Sequence, residues 1–139
     1  MTVSGIDEIT FGSGDLATCR KFFLDWGLAL VTETDQELTF ETLNGCRVVV
    51  AHSDKPDLPP GVEPDPTLRE VVWCVGSESD LVGYRERFSG QPGFMDQGGR
   101  IGCTDPNGLA VRLQVSKKHA VSLSCARTNT WSERPRINQ

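Results

Sequence analysis

The feature that most constrains the fold of this chain is an internal repeat. Residues 8–28 have the sequence EITFGSGDLATCRKFFLDWGL, and residues 70–88 have the sequence EVVWCVGSESDLVGYRERF. Each copy begins with a short strand pattern, turns through Gly and Ser to an Asp-Leu pair, and continues with apolar residues at helical spacing. In the first copy these residues are Leu16, Cys19, Phe23 and Trp26. The repeat predicts two copies of one supersecondary unit that complete each other.

Turn and cap signals divide each copy further. A Ser or Asp precedes each predicted helix as an N-cap, and Gly27 and Gly90 are typical helix stops. Three strand patterns then follow each helix, and Asn44-Gly45 predicts a hairpin turn. The predicted strands are residues 28–34, 37–43 and 47–52 in the first copy, and 93–97, 100–104 and 109–116 in the second. The sequence QGGR at 97–100 fits a hairpin turn.

The chain therefore reads as two βαβββ modules in tandem. The predicted division is residues 1–53 for the first module, 54–67 for a Pro-rich linker loop, 68–116 for the second module, and 117–139 for a C-terminal extension or interdomain linker.

Charge, hydropathy and cysteine content exclude several classes of function. The 139 residues carry a net charge of −5, which argues against nucleic acid as the main partner. No apolar run approaches the ~20 residues that a membrane helix needs, and no signal peptide is recognisable. The five cysteines are widely spaced and form no C-x-x-C motif. They predict reduced, mostly buried thiols in a cytoplasmic protein.

Two motifs resemble those of the vicinal oxygen chelate superfamily, which includes glyoxalase I, bleomycin-resistance proteins and extradiol ring-cleaving dioxygenases. The first is DLATCRKFFLDWGL at residues 15–28, and the second is DPNGLAVRL at 105–113. The order and spacing of the motifs, together with the repeat, extend the resemblance over about residues 4–116. It implies an α+β fold in which two βαβββ modules form a curved mixed sheet, shaped as a cup, with the helices outside.

The resemblance also implies a metal site inside the cup, and this sequence departs from it. Family members typically place His, Glu, His and Glu on four inward-facing strand positions. Those positions fall here on Glu8, near Val49, on Glu70 and on Arg112. Arginine is always protonated and has no acceptor atom, so it repels a divalent cation. We therefore expect no metal and no cofactor in this domain, with Fe(II) or another divalent metal only in a catalytic sister domain.

Strand alternation gives an independent prediction of what faces the cup. Glu8 and Thr10 share a strand face opposite Ile9 and Phe11, and Arg112 lies opposite its apolar neighbours. The predicted cup residues, which are candidates for ligand binding, are Glu8, Thr10, Val49, Glu70, Arg112 and Gln114.

The sequence is compatible with three interpretations of Arg112. In the first, Arg112 forms a structural salt bridge that fills a disused metal site. Alternatively, it is a fork for the carboxylate or phenolate of a small ligand. The third interpretation keeps a metal site built from Glu8, Glu70 and another group.

Three functions correspond to these interpretations. The first is a metal-free, non-catalytic module, of the N-terminal type, in an extradiol-dioxygenase-like protein. The second is a stand-alone small-molecule-binding protein of the bleomycin-resistance type. The third is a metal-dependent lyase or dioxygenase with atypical ligands. No catalytic residue is identified, because neither His52 nor His119 lies in a recognisable catalytic pair. An exposed cup and open strand edges predict a homodimer or docking on a sister domain.

Overall fold

The computed structural model describes residues 2–122 and residue 131. The described residues form one eight-stranded mixed sheet and two helices, which confirms the α+β class predicted from the sequence. The elements are β1 (Val3–Ser13), α1 (Leu16–Asp25), β2 (Ala29–Glu33), β3 (Glu37–Glu41), β4 (Arg47–His52), β5 (Thr67–Val75), α2 (Glu78–Phe88), β6 (Met95–Asp96), β7 (Arg100–Thr104) and β8 (Ala110–Val115).

The sheet order shows the repeat directly. The strands run β2-β3-β4-β1-β5-β8-β7-β6, so β1 and β5, the first strand of each module, pair at the centre. They pair antiparallel, while β1 with β4 and β5 with β8 are parallel. Each module therefore contributes four adjacent strands, and the first strands of the two repeats lie side by side at the middle of the sheet.

Each helix begins after a Ser or an Asp, and the N-cap of α2 is Ser77 rather than Asp80. The Oδ1 of Asp15 accepts a hydrogen bond from the Thr18 N–H (2.9 Å), and the Oγ of Ser77 accepts one from the Asp80 N–H (3.2 Å). Each bond satisfies an N–H that the first helical turn leaves free. After α1, Gly27 has φ +99°, a conformation that glycine adopts without strain.

Both helices pack on the convex face of the sheet, but only α2 has a fully buried residue among those described. Against α2, the residues Val75, Leu81, Ile101 and Leu113 form a buried cluster. Against α1, the buried residues are Leu38, Phe40 and Val50, with Leu16, Cys19 and Phe23 packed on them. None of the residues described in α1 is fully buried, and Trp26, expected on the apolar stripe, is 73% exposed. An apolar groove of about 610 Å³ remains between α1 and β1.

Two segments outside the sheet complete the fold near its concave face. The Pro-rich segment ahead of β5 does more than join the modules, because Lys55, Asp57, Leu58 and Pro59 line the concave cavity. After β8 the chain returns to the first module, where the His119 N–H bonds to the Asn44 carbonyl (3.1 Å). Within the part of the chain that the structure describes, no helix is long and apolar enough to cross a membrane.

The cysteines differ from the expectation of mostly buried thiols. The four described ones, Cys19, Cys46, Cys74 and Cys103, are free, but only Cys74 is fully buried. Cys125 and most of the C-terminal extension lie outside the described residues.

Candidate functional site

The concave face of the sheet holds a cavity of about 820 Å³. Five of the six residues predicted to face the cup line it: Glu8, Thr10, Val49, Glu70 and Arg112. Small-molecule sites commonly have volumes of about 300–1,000 Å³, so the cavity is large enough for a metabolite-sized ligand.

Strand register explains why these residues meet. In one row across the sheet, Glu8 of β1 lies beside Arg47 of β4 and Val72 of β5, and Val72 lies beside Arg112 of β8. In the next row, Thr10 lies between Val49 of β4 and Glu70 of β5. The two rows bring both glutamates and Arg112 to one face because residues two apart on a strand point the same way.

A second arginine, which the sequence interpretation missed, completes the site. The Nη1 of Arg100 lies 3.1 Å from the Oε1 of Glu8 and 3.6 Å from the Oε1 of Glu70. The Nε of Arg112 lies 3.1 Å from the Oε2 of Glu70. We call Glu8, Glu70, Arg100 and Arg112 the charge cluster. Its side chains are 13–28% exposed, so water screens these ion pairs only in part.

Arg100 was missed because QGGR was interpreted only as a turn. The turn is real, since Gly98 and Gly99 have positive φ, but Arg100 is already the first residue of β7. Its side chain reaches the cup only because β7 pairs with β8 and places Arg100 beside Gln114. The only local signal was the strand pattern that begins at residue 100.

A glycine accommodates Arg112 in the cluster. Gly102 of β7 lies opposite Arg112 of β8 in the sheet register. A Cβ on Gly102 would lie 2.4 Å from the Arg112 Cδ and 2.4 Å from the Val111 carbonyl oxygen. The absent side chain therefore leaves room for Arg112, whose Nη1 donates to the Cys103 carbonyl (3.1 Å).

Gln114 does not line this cavity but a smaller neighbouring one, which Glu8 and Arg47 also line. It is buried, and its Oε1 accepts hydrogen bonds from the Nε (3.2 Å) and Nη2 (3.0 Å) of Arg100. Its Nε2 donates to the Oδ2 of Asp7 (3.0 Å), which also accepts from the Lys117 N–H (3.0 Å). Gln114 thus links the charge cluster to the start of the C-terminal segment.

Asp7 joins this network because of a register shift. The pairing of β1 with β5 shifts between Ile6 and Glu8, so the strict alternation used on the sequence fails at Asp7. Burial opposes ionisation of Asp7, but hydrogen bonds from Gln114 and the Lys117 backbone outweigh it and lower the pKa of the carboxyl.

At Glu70, unlike at Asp7, the effect of burial outweighs that of the groups that favour the ionised carboxyl. Desolvation raises the pKa of the Glu70 carboxyl above its ordinary value, although Arg112 and Arg100 counteract it, and the nearby charge of Glu8 adds to the rise. Desolvation likewise raises the pKa of the Cys103 thiol. Glu70 therefore takes up a proton at a higher pH than an ordinary glutamate does.

The residues at the four expected metal positions do not fit a divalent cation. Two positions hold carboxylates that are already paired with guanidinium groups, and the others hold Val49 and Arg112. Among residues 2–122 and 131, no group of three or more His, Cys, Asp or Glu side chains has the arrangement to hold a metal ion. A tight site needs at least three such donors.

Comparison with solved structures identifies the class of fold. The chain superposes on catechol 2,3-dioxygenase with a TM-score of 0.62 at 15% identity, covering 83% of this chain and 42% of the dioxygenase. A variant of homoprotocatechuate 2,3-dioxygenase from Brevibacterium fuscum gives 0.60 at 14% identity, covering 85% and 34%. Methylmalonyl-CoA epimerase from Mycobacterium tuberculosis gives 0.54 at 16% identity, covering 81% and 88%.

These similarities show the fold, which is of the vicinal oxygen chelate type. No family model matches the sequence, and no curated protein matches it. The chain spans about two fifths or a third of the length of the dioxygenases, but it aligns with most of the epimerase.

Proposed function

We propose that this chain is a metal-free, non-catalytic domain of the vicinal oxygen chelate superfamily, of the kind that forms one module of an extradiol-dioxygenase-like protein. The observation that carries the proposal is the charge cluster. Arg112 occupies a position that the resemblance gives to a metal ligand, and Arg100 reaches both remaining carboxylates. The guanidinium groups supply the positive charge that a metal would otherwise bring to the cup.

The coverage of the dioxygenases supports this choice. The chain aligns over more than four fifths of its own length with less than half of each dioxygenase. That proportion is what one module of a larger protein gives. The expected partner is therefore a sister module or, in its absence, a second copy of the chain.

A second candidate is a stand-alone binding protein of the bleomycin-resistance type. Two observations favour it: the chain aligns with 88% of an epimerase, and its cavity of about 820 Å³ suits a small molecule. Both candidates share a metal-free cup and differ in what covers it.

A restored ligand set tests the proposal. The triple variant Val49→His, Arg100→Met, Arg112→Glu replaces both cations of the cluster and supplies the two missing donors. We expect it to bind Zn²⁺ or Mn²⁺ in equilibrium dialysis, with wild type binding neither. Adding Glu8→Ala to the triple variant should abolish the binding. Equal metal binding by wild type and the triple variant would contradict a metal-free cup.

A further inference from the structure

The two arginines of the charge cluster are not equally engaged. All three nitrogens of the Arg100 guanidinium contact Gln114, Glu8 or Glu70. In Arg112, Nε pairs with Glu70 and Nη1 donates to backbone carbonyls. Within residues 2–122, the Nη2 of Arg112 has no hydrogen-bond partner, although Arg112 lines the cavity. One guanidinium donor in the cup therefore remains available to a ligand.

We propose that the cup binds a small organic monocarboxylate with a compact apolar body, held at Arg112, and that Glu70 takes up one proton from solvent as the ligand binds. The inference rests on the metal-free cup proposed above, and it adds the chemical class of the ligand.

Charge balance favours a monoanion. The cluster contains two carboxylates and two guanidinium groups, so the empty site is neutral. A bound carboxylate adds one negative charge in a partly desolvated place, and one proton on Glu70 restores neutrality. A phosphate dianion would leave a negative charge uncompensated, which is unfavourable where water is partly excluded.

Apolar side chains form part of the cavity lining and can contact the carbon body of a ligand. Those that line it are Val49, Ala51, Leu58, Pro59 and Met95. Thr10 and Thr39 line the same cavity, and within residues 2–122 their hydroxyls bond to no protein group. The remaining lining residues are charged or carry an amide, so the apolar contacts suit a compact carbon body rather than a large hydrophobic one.

Glu70 is the group in position to take up the proton. It is faced by Glu8 from β1, Arg100 from β7 and Arg112 from β8. Burial has already raised the pKa of Glu70 in the empty cup. A ligand carboxylate at the Nη2 of Arg112 brings a second negative charge to the guanidinium that pairs with Glu70, and so raises the pKa of Glu70 further.

Calorimetric titration with benzoate tests the proposal on the full chain. Titrations at about pH 6 and about pH 8, in buffers of different ionisation enthalpy, report both affinity and proton uptake. We expect benzoate to bind, the neutral isostere benzamide to bind at least tenfold more weakly, and up to one proton to be taken up. Affinity should rise as pH falls, by at most about tenfold per pH unit.

Variants assign the two roles. Arg112→Met should abolish benzoate binding, provided that circular dichroism shows a folded protein. Glu70→Gln should still bind benzoate, with no proton uptake and no dependence on pH. Glu33→Gln, which removes an exposed carboxylate outside the cup, should behave as wild type.

The opposite results overturn the inference. They are no benzoate binding to wild type, binding that survives in folded Arg112→Met, or binding without proton uptake. None of these results bears on metal binding, which is what decides the proposed function.

Discussion

At the scale of single residues, Arg112 is the position on which the account depends. Its Nε pairs with Glu70, and both side chains are mostly buried, with exposed fractions of 13% and 14%. Removing one partner from such a pair leaves an uncompensated charge in a place of low dielectric constant. Losing one partner should therefore lower the free energy of unfolding by more than the intact pair contributes to it.

We predict that Arg112→Met lowers the free energy of unfolding by about 3–5 kcal/mol. The loss should be larger at about pH 8 than at about pH 5. Without Arg112 the already raised pKa of Glu70 rises further. A carboxyl whose pKa is raised in the folded state stabilises the folded protein by binding a proton. This stabilisation is lost as the pH rises through the folded-state pKa. Urea unfolding at both pH values measures the difference.

Arg20→Met is the matched control. It breaks a surface pair with Glu33 whose side chains are 44% and 49% exposed, so the change should stay within about 1 kcal/mol. If Arg112→Met is as stable as wild type at both pH values, Glu70 does not depend on Arg112.

Gly102 gives a second prediction at this scale. Gly102→Ala would place a methyl group against the Arg112 Cδ and the Val111 carbonyl oxygen, and the carbonyl cannot move without disturbing the sheet. We expect a loss of about 1–3 kcal/mol in urea unfolding, as for other overpacked sites. Gly90→Ala meets nothing within 4 Å and should change stability by no more than about 0.5 kcal/mol. Equal effects of the two substitutions would refute the packing of Arg112 on Gly102.

At the scale of elements, local patterns predicted much of the fold. The strands at 47–52 and 100–104 have the predicted bounds, and α1 begins directly after Asp15. The second helix begins after Ser77, three residues before the Asp80-Leu81 pair that the repeat aligns with Asp15-Leu16. These features are set by alternation and capping, which are local. Trp26 fits the helical spacing and is still exposed, because spacing does not specify how closely α1 approaches the sheet.

The contacts that complete the site could not be predicted in the same way. Arg100 meets Glu8, and Asp7 meets Gln114, across separations of 92 and 107 residues. Both contacts depend on how β1, β5, β7 and β8 align, and the register shift near Asp7 changes the face on which a residue lies. Alternation within one strand contains no information about such a shift.

Asp7 holds the C-terminal segment on the sheet, which gives a prediction for that element. Asp7→Ala removes the acceptor for the Lys117 N–H. We expect faster amide hydrogen exchange at Lys117 and His119 and a lower stability at neutral pH. The stability difference from wild type should shrink as pH falls below about 4, because the lowered pKa means that ionised Asp7 stabilises the fold only above it. Asp15→Ala, which uncaps α1, should leave exchange at Lys117 unchanged.

At the scale of the whole molecule, the two halves differ in how their helices are covered. The second helix buries Leu81 completely, whereas Phe22 and Trp26 of the first half are 51% and 73% exposed beside the apolar groove. Large exposed apolar surface of this kind is typical of an interaction site.

Association is therefore the prediction at this scale. In the absence of a sister module, we expect the chain to sediment as a dimer at micromolar concentration. Trp26→Ser should shift it towards monomer without changing its circular dichroism. Sedimentation of wild type as a monomer only would contradict the expectation of self-association and leave the sister module as the alternative.

The metal content of the protein tests the central claim most directly. That claim is that the charge cluster takes the place of a metal in a fold of the vicinal oxygen chelate type. Protein purified without chelator, with Fe, Zn, Mn and Ni determined by mass spectrometry, should contain far less than one metal ion per chain. One metal ion per chain, lost in Glu8→Ala or Glu70→Ala, would contradict the claim.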